Sequence, residues 1–158
     1  MSSSSTACRN LVARRSELMR DRLRQWLLAL QSGYYVLTGI WPLVHLPSFE
    51  AVTGPKTDDW LVHMVGLLAA TIGIPIGMAA VRNHGRGPEV VVLAVMSALA
   101  FAAIDLWYGI TGRISRIYLA DAVVQLGLLT GLALTHRAHS VDRGSGTRSN
   151  RKANIDVP

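Results

Sequence analysis

Four long apolar stretches constrain the fold of this chain more than any other feature. A helix needs roughly 20 mostly apolar residues to cross about 30 Å of hydrocarbon. The stretches of this length span residues 26–46, 60–81, 90–110 and 117–135, and none contains Lys or Arg. A soluble four-helix bundle would show polar outer faces, whereas residues 90–103 carry Ser97 as their one polar side chain. The pattern therefore predicts an all-α, four-helix transmembrane bundle.

The composition agrees with a membrane location. Half of the 158 residues are hydrophobic and 16% are charged, whereas a typical soluble domain has about 25% charged residues. A single cysteine excludes an internal disulfide and a cysteine-based zinc site. The formal net charge of +6 would fit nucleic-acid binding, but the distribution of the charges has another explanation.

The basic residues are divided unevenly between the two sides of the predicted bundle. Lys56, Arg113 and Arg116 lie on one side, and the other thirteen lie before the first span, after the second and after the fourth. Because positive residues favour the cytoplasmic side, both termini are predicted to be cytoplasmic. The same residues would attract anionic lipid heads, so membrane lipid is an expected partner and nucleic acid is not.

The chain outside the four-helix domain, residues 26–136, is basic at both ends. In residues 1–25, Leu11, Leu18 and Met19 recur near helical spacing among arginines, which predicts a short interfacial helix. The alternative is a frayed extension of the first span. Residues 137–158 have no apolar period and are predicted to form a disordered cytoplasmic tail.

Connections and small residues predict how the helices pack. Short loops favour antiparallel neighbours in an up-down-up-down bundle. Small residues at helical spacing, such as Gly127 and Gly131 in the fourth span, let membrane helices approach closely. The same small residues could instead pack against a second copy of the chain, so a homodimer is an alternative.

Two carboxyl groups inside the spans are the first candidate functional residues. Asp105 lies five residues before Ile110, and Asp121 lies four residues after Ile117. At about 1.5 Å per residue both lie roughly 6–8 Å inside the outer boundary. Ionisable groups at membrane depth are costly unless they are paired. The candidate ligand-binding cluster adds the polar and aromatic residues predicted at this level, which are Trp41, His45, His63, Tyr108 and Gln125.

The chemistry of this cluster leaves three functions open. Two adjacent carboxyl groups cannot both be ionised cheaply, so the cluster could bind a proton, a lipid or a small molecule such as an amine. Alternatively, the protein is structural or accessory, and the two aspartates pair with Arg113, Arg116 or the histidines to lock the helices. A third function is that of a membrane redox enzyme using a quinone or haem near the histidines.

No cofactor, metal or catalytic residue is predicted. The histidines and acidic residues lack the spacing of a zinc motif. The sequence contains no catalytic serine arrangement, complete phosphate loop or thiol pair. A binding or accessory protein is therefore expected rather than an enzyme.

The string YYVLTGIWP in the first span is followed by SFEAVTGPKTDDWLVHMVG. Together they resemble small four-helix integral membrane proteins of bacteria, and the layout is similar to that of the DoxX-like group. The resemblance runs from the first span to the start of the second. It implies a bacterial inner-membrane protein and carries no activity over to any residue.

Overall fold

Five helices make up this computed structural model, which describes residues 3–82 and 87–153, with side chains for residues 14–82 and 87–135. They are α1 (Ser3–Val44), α2 (Leu46–Thr53), α3 (Asp59–Val81), α4 (Pro88–Ile110) and α5 (Ile117–Ala153). The described residues contain no strand. The fold is therefore all-α, as the sequence predicts.

Four of these helices are long and apolar enough to cross a membrane, which marks the chain as a membrane protein. The segments are Arg14–Val44, Asp59–Val81, Pro88–Ile110 and Ile117–Thr135. Apart from the longer start of the first, their ends lie within two residues of the predicted spans. Large apolar side chains such as Leu67, Met96 and Val123 are more than half exposed on the outside of the bundle. A lipid environment accounts for such a surface, which would be a liability in water.

Helix α1 is longer than its predicted span. It is continuous from Ser3 to Val44, so the basic segment extends the first span and the separate interfacial helix is not observed. Residues 14–26 contain neither Gly nor Pro, and an established helix adds one hydrogen bond for each residue it gains. Helix α5 likewise continues to Ala153, into the segment predicted to be disordered. Residues 154–158 of that predicted tail lie outside the described residues.

The connection between the first two spans contains the short helix α2, which the sequence analysis did not predict. His45 precedes it, and the His45 Nδ1 atom accepts a hydrogen bond from the Ser48 backbone N–H at 3.1 Å. A side chain that accepts from the first turn caps a helix. The helix ends at Thr53 and is followed by Gly54, whose φ of +90° is a left-handed conformation that favours glycine.

The helices pack as two pairs. Helix α1 makes its most extensive contacts with α3, and α4 makes its most extensive contacts with α5. The 45–58 and 111–116 connections lie at one end of the bundle, where Lys56 Nζ lies 4.9 Å from the centre of the Tyr118 ring. We call this the α2 end. The opposite end, where α3 ends at Val81 and α4 begins at Pro88, is called the terminal end.

Candidate functional site

One face of α1 carries three polar side chains that point between the two helix pairs. Gln31, Tyr34 and Tyr35 recur at the three- and four-residue spacing of neighbours on a helix. Gln31 is 0% exposed and Tyr35 is 1% exposed. Their partners lie on α4 and α5, so this contact between the pairs, which we call the seam, is held by hydrogen bonds as well as by packing.

Two carboxyl groups meet at the α2 end of the seam. The Asp105 carboxyl of α4 lies within hydrogen-bonding reach of the Asp121 carboxyl of α5. Asp105 is 6% exposed, whereas Asp121 is half-buried. The prediction that both residues lie at one depth is consistent with this contact. We call the two residues the carboxyl pair.

The surroundings of the two carboxyl groups differ. The Asp121 Oδ1 atom accepts from the Tyr34 hydroxyl at 2.5 Å and from Gln125 Nε2 at 3.3 Å. The Asp105 Oδ2 atom is buried without a hydrogen-bond partner among the described residues. Asp121 thus accepts two side-chain hydrogen bonds, whereas no donor among the described residues reaches Asp105 Oδ2. A proton on Asp105 would let it donate to Asp121.

A chain of hydrogen bonds continues from the pair into the bundle. The Tyr35 hydroxyl donates to Gln125 Oε1 at 3.0 Å. Gln31 Nε2 donates to the Tyr35 oxygen at 3.2 Å and to the Ala94 carbonyl oxygen at 2.8 Å. From Asp105 to Ala94 this network spans eleven residues of α4, or about 16 Å of depth at 1.5 Å per residue.

An apolar layer closes the network towards the terminal end. Leu28 lies one turn beyond Gln31 on α1 and is 0% exposed. It packs in one buried cluster with Ile76, Ala80, Ala94 and Leu132. Because packed apolar side chains exclude water, this layer separates the pair from the terminal end, and the half-buried Asp121 lies on the side of the α2 end.

Neither aspartate forms an ion pair with a basic residue in the part of the chain that the structure describes. Arg113 and Arg116, which the sequence analysis considered as partners, are exposed at the α2 end. The electrostatic neighbour of Asp105 is Asp121. Locking through these arginines is therefore not observed among the described residues, since both side chains are exposed and neither is paired with an aspartate.

The predicted site residues divide into two groups. The structure brings together Asp105, Asp121 and Gln125. It places the other four elsewhere: His45 caps α2, and Trp41 donates from Nε1 to the Ser48 hydroxyl at 2.8 Å and packs edge-on against Phe49. Neither His63 nor the 41% exposed Tyr108 hydrogen-bonds to the carboxyl pair. Among the described residues no group of three His, Cys, Asp or Glu side chains could hold a metal ion.

Tyr34, Tyr35 and Gln31 belong to the network but not to the predicted cluster, and the least expected of them is Gln31. The sequence feature that could have identified Gln31 is its position one turn before Tyr34 and Tyr35, on the same face of an otherwise apolar span. The Gln31 Oε1 atom is buried and has no hydrogen-bond partner in the described chain. Burying such an unpaired amide oxygen in an apolar interior costs free energy. A polar residue repeated at helical spacing inside a span thus indicates a helix contact.

Comparisons with known proteins found no relative of this chain. No family model matches the chain, and neither the curated proteins nor the solved structures contain a match. The functional interpretation therefore depends on the geometry of the seam.

Proposed function

We propose that this chain is a multi-pass membrane protein that reversibly binds a proton at the carboxyl pair. The observation that carries the proposal is the contact between two carboxyl groups, one of them 6% exposed, without a basic partner in the described residues. Two neighbouring carboxylates repel each other strongly in a low dielectric. One proton shared between Asp105 and Asp121 removes the repulsion.

The hydrogen bonds around the pair support a proton site in preference to a fixed structural contact. Tyr34 and Gln125 both donate to Asp121, whereas Asp105 Oδ2 has no donor among the described residues, so the proposal places the exchangeable proton on Asp105. The other titratable side chains in the network are Tyr34 and Tyr35. A small cationic ligand such as a primary amine could take the place of the proton, since its ammonium group also carries a positive charge and donates a hydrogen bond to a carboxylate.

Infrared spectroscopy of the protein in liposomes tests the proton site. We expect a carbonyl stretching band from one protonated carboxylic acid that disappears as the pH is raised. Asp105→Asn should remove this band, because an amide has no acid proton to lose. The matched control is Asp59→Asn, which changes an exposed carboxyl at the α2 end and should leave the band in place. A band that survives in both Asp105→Asn and Asp121→Asn would refute the proposal.

We propose further that the α2 end faces outward across a bacterial inner membrane, with both termini cytoplasmic. The support is the excess of Arg and Lys at the terminal end, which is typical of cytoplasmic loops and tails. With this orientation the pair would exchange protons with the external medium. The resemblance to DoxX-like proteins is consistent with such a location.

Cysteine labelling tests the orientation. Thr57 is exposed in the connection between α2 and α3. In a Cys8→Ser background, Thr57→Cys should react with an impermeant maleimide added to intact cells. The native Cys8 provides the matched control and should react only after the cells are made permeable. The reverse pattern of labelling would show that the orientation is inverted.

A further inference from the structure

A groove lies at the terminal end, between α1 and the last turn of α3. Its volume is about 570 Å³, within the range of about 300–1,000 Å³ that holds small-molecule ligands. It exists because α3 ends at Val81 while α1 continues past it. The groove lies on the far side of the apolar layer from the carboxyl pair, so it is a separate site.

Along α1 the lining of the groove is apolar at Ala29, mixed from Trp26 through Gln25 and Arg22 to Asp21, and apolar again at Leu18 on the outer rim. Ala29, Ala80 and Val81 form the part nearest the middle of the bundle, and Trp26 and Arg22 follow towards the terminal end. From Ala29 to Arg22 the distance along the helix is about 10 Å at 1.5 Å per residue. A phospholipid shows the same order of groups, with acyl chains, then an ester level where Trp is favoured, then a phosphate.

The charge of the groove favours an anionic head group. Arg22 is exposed and has no hydrogen-bond or ion-pair partner in the described chain. Residues 14–24 carry five arginines and two acids. One of the acids, Asp21, lines the groove and already interacts with other residues. The excess of positive charge attracts anionic lipids more strongly than zwitterionic ones.

We propose that this groove binds an anionic glycerophospholipid. Its phosphate lies against the Arg22 guanidinium, which donates paired hydrogen bonds to phosphate oxygens. The upper part of its acyl chains lies on Ala29, Ala80 and Val81, beside the Trp26 ring. The site does not depend on proton binding at the carboxyl pair, and either can fail without the other.

Native mass spectrometry of the full-length protein in detergent tests the site. Dioleoyl phosphatidylglycerol should bind the unmodified protein more tightly than dioleoyl phosphatidylcholine does. Arg22→Gln should weaken phosphatidylglycerol binding about tenfold, as expected for a charge-assisted hydrogen bond. The matched control is Arg20→Gln, because Arg20 lies two residues away on the opposite face of α1 and bonds to Ser16.

The binding results for the variants distinguish a specific lipid site from general attraction of anionic lipids to positive charge. Ala29→Trp fills the apolar part of the groove without changing charge, and it should also weaken phosphatidylglycerol binding. Equal losses in the Arg22 and Arg20 variants would overturn the proposal, since they would show attraction to net charge alone. An unchanged affinity in Ala29→Trp would overturn the assigned position of the acyl chains.

Discussion

A Gly39→Val substitution is expected to prevent α1 from packing on α3 and to unfold much of the protein in mild detergent. A Cβ atom at Gly39 would meet the Gly66 carbonyl oxygen, and it would lie 2.8 Å from the Ala70 backbone nitrogen. Backbone atoms cannot move aside as a side chain can, so the two helices would have to separate. The expected cost is about 3 kcal/mol or more, at the upper end of overpacking effects.

Gly33 provides the matched control for this prediction. It lies in the same helix, and a Cβ atom built there meets nothing within 4 Å. Gly33→Val should therefore leave the unfolding temperature unchanged or raise it slightly, because valine has a higher helix propensity than glycine. Thermal unfolding of both variants in one detergent is the measurement. Equal losses at the two positions would show that the close contact of α1 with α3 is not what stabilises the fold.

The same contact makes a reciprocal prediction at Gly66. A Cβ atom there would lie 2.5 Å from the Gly39 carbonyl oxygen and 3.0 Å from Pro42 Cγ. Once one substitution has separated the helices, a second at the facing glycine should cost less than it does alone. The combined variant is thus expected to lose less stability than the sum of the two single variants.

Raising the pH is expected to destabilise the unmodified protein and to have much less effect on Asp105→Asn. With the proposed proton in the carboxyl pair, the folded state would bind one proton that the separated aspartates release at neutral pH. Stability is then fully present at low pH and falls as the pH rises and the pair loses this proton, because the folded state binds more protons than the unfolded one. One proton sets a limit of about 1.4 kcal/mol per pH unit.

An asparagine at position 105 removes this dependence because its amide donates to Asp121 at every pH. Tyr34 and Tyr35 also face the pair, but free tyrosine ionises only near pH 10. The measurement is the unfolding temperature from mildly acidic to mildly alkaline pH, with Asp59→Asn as control, which should keep the dependence of the unmodified protein. A constant loss of stability at all pH values in Asp105→Asn and Asp121→Asn would instead favour a purely structural lock between the helices.

The polar network shows how far a sequence can predict a site inside a membrane. The depth of Asp105 and Asp121 followed from their distance to the span ends, because helical rise is constant. The sequence did not predict that the two aspartates share the seam with Tyr34 and Gln31. That contact depends on how each helix is rotated about its axis, and the spacing of residues within one helix does not define its rotation relative to another.

His45 illustrates the same limit at the α2 end. Its position near the outer boundary made it a candidate ligand beside the aspartates. The structure uses its Nδ1 atom to cap α2, a helix that apolar periodicity could not indicate in eight residues. A short helix has too few turns for its period to stand out from chance.

The sequence by itself determined the helical class and the four apolar spans, and it predicted that Asp105 and Asp121 lie at a common level. The physical reason is that hydrocarbon requires every backbone polar group to be satisfied within the segment, so apolar length alone specifies a helix. Only the tertiary structure decided that α1 packs on α3 through Gly39 and Gly66, and that Asp105 meets Asp121 without an arginine. These contacts depend on the rotation of one helix against another, which side-chain packing and hydrogen bonds decide together.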